Sequence, residues 1–108
     1  MIETLSLHDA TLNAVRFSWA EGRCVLDLSS FEAPECELVF TGVSDLHVPR
    51  HYPWGPSVSV NTVRRVRDST FEIELQSGDV LRIEASAWSF NSNVTGLLTN
   101  DRFGNEGL

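Results

Sequence analysis

The sequence contains no lysine: all eight of its basic residues are arginines, against fifteen aspartates and glutamates. The formal net charge is −7 and the pI is about 4.7. Without lysine there is no Gly-Lys-Ser/Thr phosphate-binding loop and no lysine-based chemistry. The acidic excess also argues against a nucleic-acid binder, which needs a net basic face, and against a polybasic membrane-surface protein. We therefore expect neither nucleic acid nor a membrane as a partner.

Cysteine is scarce as well. Cys24 and Cys36 form neither a C-x-x-C motif nor a metal-ligand pattern, and two thiols in 108 residues do not make a disulfide framework. We predict buried free thiols, as found in a reducing compartment, and a disulfide between neighbouring strands is the alternative. The first residues lack the regions of a secretion signal, and no apolar run approaches the roughly 20 residues that span a bilayer. These absences predict a cytoplasmic protein.

A sustained helical stripe is also absent, and the dominant period along the chain is two, which is typical of strands. Alternation predicts strands over 13–19, 24–30, 36–41, 57–67, 70–75 and 80–85. Two pairs of these runs flank short turns that contain Gly22 and Gly78, which predicts two hairpins. In the first hairpin one face is predicted to carry Asn13, Val15, Phe17 and Trp19.

The second hairpin has the clearest pattern. Phe71 and Ile73 are predicted to face inward, whereas Glu72 and Glu74 face outward on the same side as Arg82. A cross-strand ion pair between these acids and Arg82 is therefore expected, worth at most about 1 kcal/mol.

Strand 57–67 is irregular, because its apolar phase shifts by one residue at Asn61-Thr62. A β-bulge at this point explains the shift, and a short helical turn from Val60 to Val66 is the alternative. The tail after Trp88 is rich in Asn, Gly and Ser and is predicted to be loosely ordered at its end. Together these patterns predict one all-β domain over 1–108, a small antiparallel β-sandwich or partly open barrel built from hairpins.

The sequence gives little indication of catalytic or metal-binding groups. In a strand, the adjacent side chains of His8 and Asp9 would face opposite ways and form no dyad, and Asp9 is expected to bond local backbone amides. His47 and His51 have a zinc-pair spacing only on a helix, which Pro49 between them disfavours. No G-x-S-x-G elbow is present. We predict no catalytic residues, no metal and no cofactor.

The segment 49–57 contains three prolines together with Arg50, His51, Tyr52 and Trp54. Loops often carry function, and Trp, Tyr and Arg are the usual anchors of protein interfaces. Tyr52 and Trp54 are therefore candidate partner-binding residues. The alternative is that Trp54 plugs one end of the barrel.

Charge is distributed unevenly along the chain. Residues 1–48 hold eight acids and two arginines, net −6, whereas residues 49–108 have a net charge of −1. An acidic loop at 31–37 makes Glu32, Glu35 and Glu37 candidates for capturing a basic partner. The alternatives are a solvated surface, or internal pairing of this segment with the arginines at 64, 65 and 67.

Three motifs carry a family resemblance: Leu7-His8-Asp9-Ala10-Thr11-Leu12, Pro53-Trp54-Gly55-Pro56-Ser57, and Gln76-Ser77-Gly78-Asp79 followed by Ile83-Glu84-Ala85. Over about residues 5–90 the chain resembles a group of small, mostly uncharacterised bacterial all-β domains. Some of that group are assigned as immunity proteins of polymorphic toxin systems. The resemblance implies an all-β fold and neutralisation of a toxin by binding, and it carries over no catalytic residue.

The preferred hypothesis is a non-enzymatic, cytoplasmic protein of the immunity type that binds a basic toxin domain. Glu32, Glu35 and Glu37 would attract the toxin, and Tyr52 and Trp54 would anchor it. One alternative is a small-ligand-binding barrel or an enzyme with a cleft near His8, His51 or Trp54. Another is a homo-oligomeric structural module that pairs through an exposed edge strand.

Overall fold

The protein is seen in a computed structural model, which describes residues 1–53 and 58–92. Two four-stranded antiparallel sheets form the fold, with strand orders β1-β2-β3-β8 and β4-β7-β6-β5. The strands are β1 Thr11–Ser18, β2 Arg23–Ser29, β3 Cys36–Thr41, β4 Asp45–His47, β5 Val60–Arg67, β6 Thr70–Leu75, β7 Val80–Glu84 and β8 Ala87–Ser92, after a 3-10 turn at Ile2–Thr4. The predicted all-β class is confirmed.

The two predicted hairpins are present as β1–β2 and β6–β7. Their turns contain Gly22 at φ +62° and Gly78 at φ +106°, backbone conformations that side chains with a Cβ rarely adopt. Local alternation and a glycine turn are sufficient to bring two neighbouring strands together.

The two sheets are joined at one edge, where the beginning of β1 meets the segment leading into β5. Thr11 forms an antiparallel bridge with Ser59, and the backbone N–H of Leu12 donates to the carbonyl of Val58 at 2.8 Å. The N–H of Val60 donates to the carbonyl of Ala10 at 2.7 Å. This seam satisfies backbone groups that an open sheet edge would expose.

The core lies between the sheets and consists of the inward-facing residues of the central strands. Its fully buried side chains include Cys24, Leu26, Leu38, Phe40, Ile73, Leu81 and Ile83. Both thiols are free and buried, as predicted, and burial raises the pKa of each to about 11. β2 and β3 are neighbours, but Cys24 lies opposite Phe40 and Cys36 lies opposite Leu28, so the thiols occupy different rungs. In the described residues no helix is long and apolar enough to cross a membrane.

The predicted bulge in β5 is confirmed, because the register with β6 shifts between Val60 and Thr62. The alternative of a helical turn from Val60 to Val66 is wrong, since this segment pairs with β6 as a strand. A second bulge lies in β1 between Leu12 and Ala14 and leaves Asn13 exposed.

The face predicted for the first hairpin is interrupted at its beginning, where Asn13 is exposed at the bulge. Val15 packs against the core, and Phe17 and Trp19 contact each other with ring centroids 6.3 Å apart. Trp19 follows the end of β1 with 88% of its surface exposed. The bulge interrupts the alternation on which the prediction depended.

Two strands were not predicted from the sequence. β4 has only three residues, which is too short for a visible alternation. β8 extends the first sheet through residue 92, so the tail is ordered at its beginning, and its predicted loose end lies outside the described residues. Trp88 and Phe90 alternate in β8, but Ser and Asn surround them and hide the pattern.

Gly42 and Gly22 offer a matched test of close packing, because both have φ +62°. A Cβ at Gly42 would lie 1.9 Å from Oγ of Ser86, a hydroxyl that donates to the carbonyl of Thr41, whereas at Gly22 the nearest atoms lie at 3.6 Å. We expect Gly22→Ala to lower the free energy of unfolding by about 1 kcal/mol through backbone strain alone. Gly42→Ala should cost about 2–3 kcal/mol, because the clash is added.

Urea denaturation of both variants measures this difference. In a Ser86→Ala background the extra cost of Gly42→Ala should shrink, because the clashing oxygen is gone. Equal losses for Gly22→Ala and Gly42→Ala would contradict the close approach.

Glu72 lies at the centre of the outer face of the second sheet, between two guanidinium groups. Its oxygens are 2.8 Å from Nη2 of Arg64 and 2.8 Å from Nη2 of Arg82, which confirms the predicted cross-strand pair. Hydrogen bonds from Arg82 and then Arg64 lower the pKa of Glu72 below its ordinary value of 4.5. Ionised Glu72 therefore stabilises the fold above about pH 4.5, and this contribution is lost as the pH falls through the folded-state pKa.

We expect Glu72→Gln to be less stable than the wild type at neutral pH and to lose less stability on acidification. Chemical denaturation between about pH 7 and pH 3 measures both effects. Glu74→Gln is the control, because Glu74 lies on the same face but accepts hydrogen bonds from the neutral Asn61 and Thr62. An acid slope for Glu72→Gln equal to that of the wild type would contradict the assignment.

Candidate functional site

The β6–β7 turn, Gln76–Asp79, forms hydrogen bonds with two other parts of the chain, around Asp9 and around His51. Nε2 of Gln76 donates to Oδ1 of Asp9 at 2.5 Å and to the carbonyl of Val60 at 3.3 Å. On the other side of the turn, Asp79 binds the segment around His51. The turn is itself part of one motif behind the family resemblance and contacts a second one through Asp9. Its contacts with His51 and Tyr52 lie just before the third motif, of which Trp54–Ser57 lie outside the described residues.

Asp79 is the buried acid of this turn, with 5% of its surface exposed. Its Oδ2 accepts the backbone N–H groups of His51 at 2.9 Å and Tyr52 at 3.0 Å, and its Oδ1 lies 3.3 Å from Nδ1 of His51. These bonds satisfy a carboxylate that would otherwise be costly to bury. Asp79 has no role that the sequence predicts, because its partners His51 and Tyr52 lie 28 and 27 positions earlier in the chain.

Tyr52 is the predicted anchor that the structure describes. Its ring lies beside Gly78, where a Cβ would be 3.7 Å from the ring, and half of the residue remains exposed. A pocket of about 290 Å³ lies beside it, lined by Arg50, Asp79 and apolar residues that include Leu12, Val15, Leu75 and Leu81. The other predicted anchor, Trp54, lies outside the described residues.

The predicted acidic residues lie at one end of the first sheet, and we call Asp27, Glu32, Glu35 and Glu37 the acidic face. Glu35 and Glu37 line a pocket of about 360 Å³ together with Asp27, and Glu32 is exposed on the loop before them. Asn13 lines both this pocket and the one beside Tyr52. The pocket of the acidic face and the pocket beside Tyr52 therefore adjoin at Asn13.

Arg16 neutralises part of the negative charge of the acidic face and leaves the charge of the other carboxylates uncompensated. Its guanidinium forms two hydrogen bonds with Asp27, at 2.7 and 2.9 Å, and one with Glu37 at 3.1 Å. The hydrogen bond from Arg16 lowers the pKa of Asp27. Within residues 1–53 and 58–92, Glu32 and Glu35 have no ion pair. The free negative charge of this face therefore lies on Glu32 and Glu35.

Among the described residues, the acidic segment forms no ion pair with the arginines of β5. Arg64 pairs with Glu72, and the backbone N–H of Arg65 donates to Oε2 of Glu3 at 2.8 Å. β5 is an edge strand of the second sheet, whereas the acidic segment lies in and before β3 of the first sheet. The bond from Arg65 lowers the pKa of Glu3.

The three histidines do not share a partner among the described residues. His8 and Asp9 lie in a turn and not in a strand, so the expectation that their side chains diverge is wrong: Nε2 of His8 lies 3.6 Å from Oδ1 of Asp9. Nδ1 of His8 is 2.9 Å from the carbonyl oxygen of Asn61, whereas His51 contacts Asp79. His47 is exposed in β4. The described residues contain no group of three or more His, Cys, Asp or Glu that could hold a metal ion.

Asp9 itself has φ +71°, in the left-handed region, and its side chain bonds Gln76 where bonds to local backbone amides were predicted. Its backbone N–H donates to the carbonyl of Val60 at 2.8 Å. The residue therefore helps to hold the seam between the two sheets.

Fold and surface together define a small all-β protein of two antiparallel sheets with an acidic face beside a tyrosine-bearing loop. No protein-family model matches the chain, and neither does a curated protein or a solved structure.

Proposed function

We propose that this chain is a non-enzymatic binding protein of the immunity type, which neutralises a basic protein toxin by direct contact. The contact surface is the acidic face together with the loop that carries Tyr52. The observation that carries the proposal is the pair of exposed, uncompensated carboxylates, Glu32 and Glu35, at the acidic face, whose pocket adjoins the one beside Tyr52.

Electrostatics favours a basic partner for this surface. Glu37 and Asp27 already share Arg16, so the charge available to a partner is that of Glu32 and Glu35. Fixed acidic groups around a shallow pocket raise the association rate of a basic surface and disfavour acidic competitors. Such a surface suits a nuclease, whose substrate-binding face is positively charged.

Tyr52 suits the role of anchor because its backbone is held before a partner arrives. Asp79 binds the N–H groups of Tyr52 and of the preceding residue, while half of Tyr52 stays exposed. An aromatic side chain on a fixed backbone loses little conformational entropy on binding.

The experiment is co-expression with the protein encoded by the neighbouring gene, with separate affinity tags. The proposal predicts a stable complex and loss of that protein's toxicity when this chain is present. Absence of both a complex and protection would contradict it.

Light scattering and ligand screening separate the alternatives. A homo-oligomeric module requires a stable assembly of this chain alone, and a ligand-binding barrel requires saturable binding of a small molecule in the pocket beside Tyr52. The proposal predicts a monomer that binds its protein partner.

A further inference from the structure

A second surface lies at the opposite end of the first sheet from the acidic face. Trp19, 88% exposed, and Phe17, 40% exposed, form an edge-to-face pair with ring centroids 6.3 Å apart. They line a groove of about 640 Å³ whose other wall is formed by Val43, Ser44, Asp45 and Leu46. We call this the tryptophan groove. It is separated from the loop before Glu35 by the length of β2, about 20 Å.

Backbone hydrogen bonds hold both walls of the tryptophan groove. The N–H of Val43 donates to the carbonyl of Gly22 in the β1–β2 turn at 2.9 Å, and the N–H of Ser44 donates to the carbonyl of Glu84 at 2.8 Å. The groove therefore exists before any partner binds, and a preformed groove reduces the entropic cost of binding.

The wall of the groove leads directly into an edge strand. β4 pairs with β7 on one side, and within the described ranges no strand pairs with its other side. An exposed edge offers backbone N–H and C=O groups to an added strand, and neighbouring pockets select its side chains.

Charge at this edge indicates the chemistry of the partner. Asp45 lies directly opposite Glu84 in the β4–β7 register, and in the described part of the chain neither acid has an ion pair. Like charges opposite each other across two strands are destabilising. A cationic side chain placed between them would relieve this repulsion.

A second copy of this chain fits the edge poorly. Each copy has a net charge of −7, and pairing two β4 edges would bring two Asp45–Glu84 pairs together. We therefore commit to an extended segment of a different protein.

We propose that the tryptophan groove and β4 form a second interaction surface, which takes up an extended partner segment as an added strand beside β4. In such a strand neighbouring side chains point to opposite faces. One large apolar side chain would enter the groove beside Leu46, and the adjacent residue, arginine or lysine, would reach Asp45 and Glu84. The recognised sequence is thus an apolar residue next to a basic one.

The test uses a displayed library of random ten-residue peptides, selected on the wild type and counter-selected on Trp19→Ala. We expect enriched peptides to share an aromatic or large aliphatic residue next to arginine or lysine. Calorimetry with the best peptide should show about tenfold weaker binding to Trp19→Ala, as expected for an exposed aromatic anchor. Asp45→Asn/Glu84→Gln should weaken binding by several-fold and reduce its salt dependence.

Two controls separate this surface from the first one. Phe31→Ala removes another exposed aromatic, 100% exposed at the opposite end of the sheet, and Glu32→Gln/Glu35→Gln changes the acidic face. Both should bind the peptide like the wild type. N-methylation along the peptide should abolish binding at alternate positions only, because an added strand directs every second N–H toward β4.

No enrichment, enriched peptides without the apolar–basic pair, or binding that Trp19→Ala leaves unchanged would overturn the proposal. So would a dimer in light scattering that Trp19→Ala dissociates, because the occupant would then be a second copy. Failure of the toxin-binding experiment would not affect this result, since the two surfaces are tested by different variants.

Discussion

Replacing Asp79 with alanine is expected to lower the free energy of unfolding by about 2–4 kcal/mol. The substitution leaves the backbone N–H groups of His51 and Tyr52 without the carboxylate that now accepts both. Hydrogen bonds to charged acceptors are stronger than those to neutral ones, and this substitution removes two of them. Urea denaturation gives the stability change.

Amide hydrogen exchange locates this effect. In Asp79→Ala the amides of His51 and Tyr52 should exchange faster than in the wild type, by more than the global loss of stability accounts for. Asp79→Asn keeps an acceptor oxygen and should lose about half as much stability. Asp68→Ala, an exposed acid between β5 and β6, is the surface control and should change stability by less than about 0.5 kcal/mol.

A loss below about 1 kcal/mol for Asp79→Ala, with unchanged exchange at residues 51 and 52, would show that the carboxylate does not hold the loop. Tyr52 would then lack the fixed backbone on which its role as an anchor depends. The stability experiment therefore also tests one step of the proposed function without any partner.

Removing the two uncompensated charges of the acidic face is expected to slow association with a basic toxin by about tenfold at low ionic strength. The variant is Glu32→Gln/Glu35→Gln, which leaves the Arg16 pairs with Asp27 and Glu37 in place. Dissociation should change much less, because rim charges act mainly on diffusional encounter. Stopped-flow mixing at low and physiological salt measures both the rate and its salt dependence.

The matched control removes two charges elsewhere. Glu21→Gln/Asp68→Asn changes two exposed acids in the turns after β1 and β5, so the net charge is the same in both variants. If steering depends on position, only the variant of the acidic face slows association. Equal slowing by both double variants would mean that net charge alone attracts the partner, and no slowing by either would remove electrostatics from the proposal.

Alternation of apolar and polar residues predicted those parts of the fold that form between segments close together in sequence. The β6–β7 hairpin was correct because Phe71 and Ile73 alternate with charged residues up to a Ser-Gly-Asp turn. The β5 bulge was visible for the same reason, as a break in an alternation. β4 and β8 were not predicted, because β4 has only three residues and Ser and Asn hide the alternation of β8. Both strands are defined by pairing with a strand distant in sequence, β7 and β3 respectively.

The sequence predicted which residues belong to the candidate site, but not which of them contact each other. Glu35 and Glu37 appeared equivalent in the sequence, yet Glu37 is bound by Arg16, 21 residues away, because β1, β2 and β3 lie side by side. Asn13 was predicted to share a face with Val15, yet it lies exposed at the bulge in β1. One extra residue in a strand is sufficient to change the face on which a side chain lies.

By itself the sequence determined the all-β class, the two hairpins and an acidic, lysine-free surface, because composition and period-two alternation are properties of short stretches of chain. Tertiary structure alone decided which acids remain uncompensated, how Asp79 holds the loop of Tyr52, and that Trp19 borders an open strand edge. Each of these depends on the register and order of strands far apart in sequence. Those pairings arise from burial of all inward-facing residues at once, which no single segment encodes.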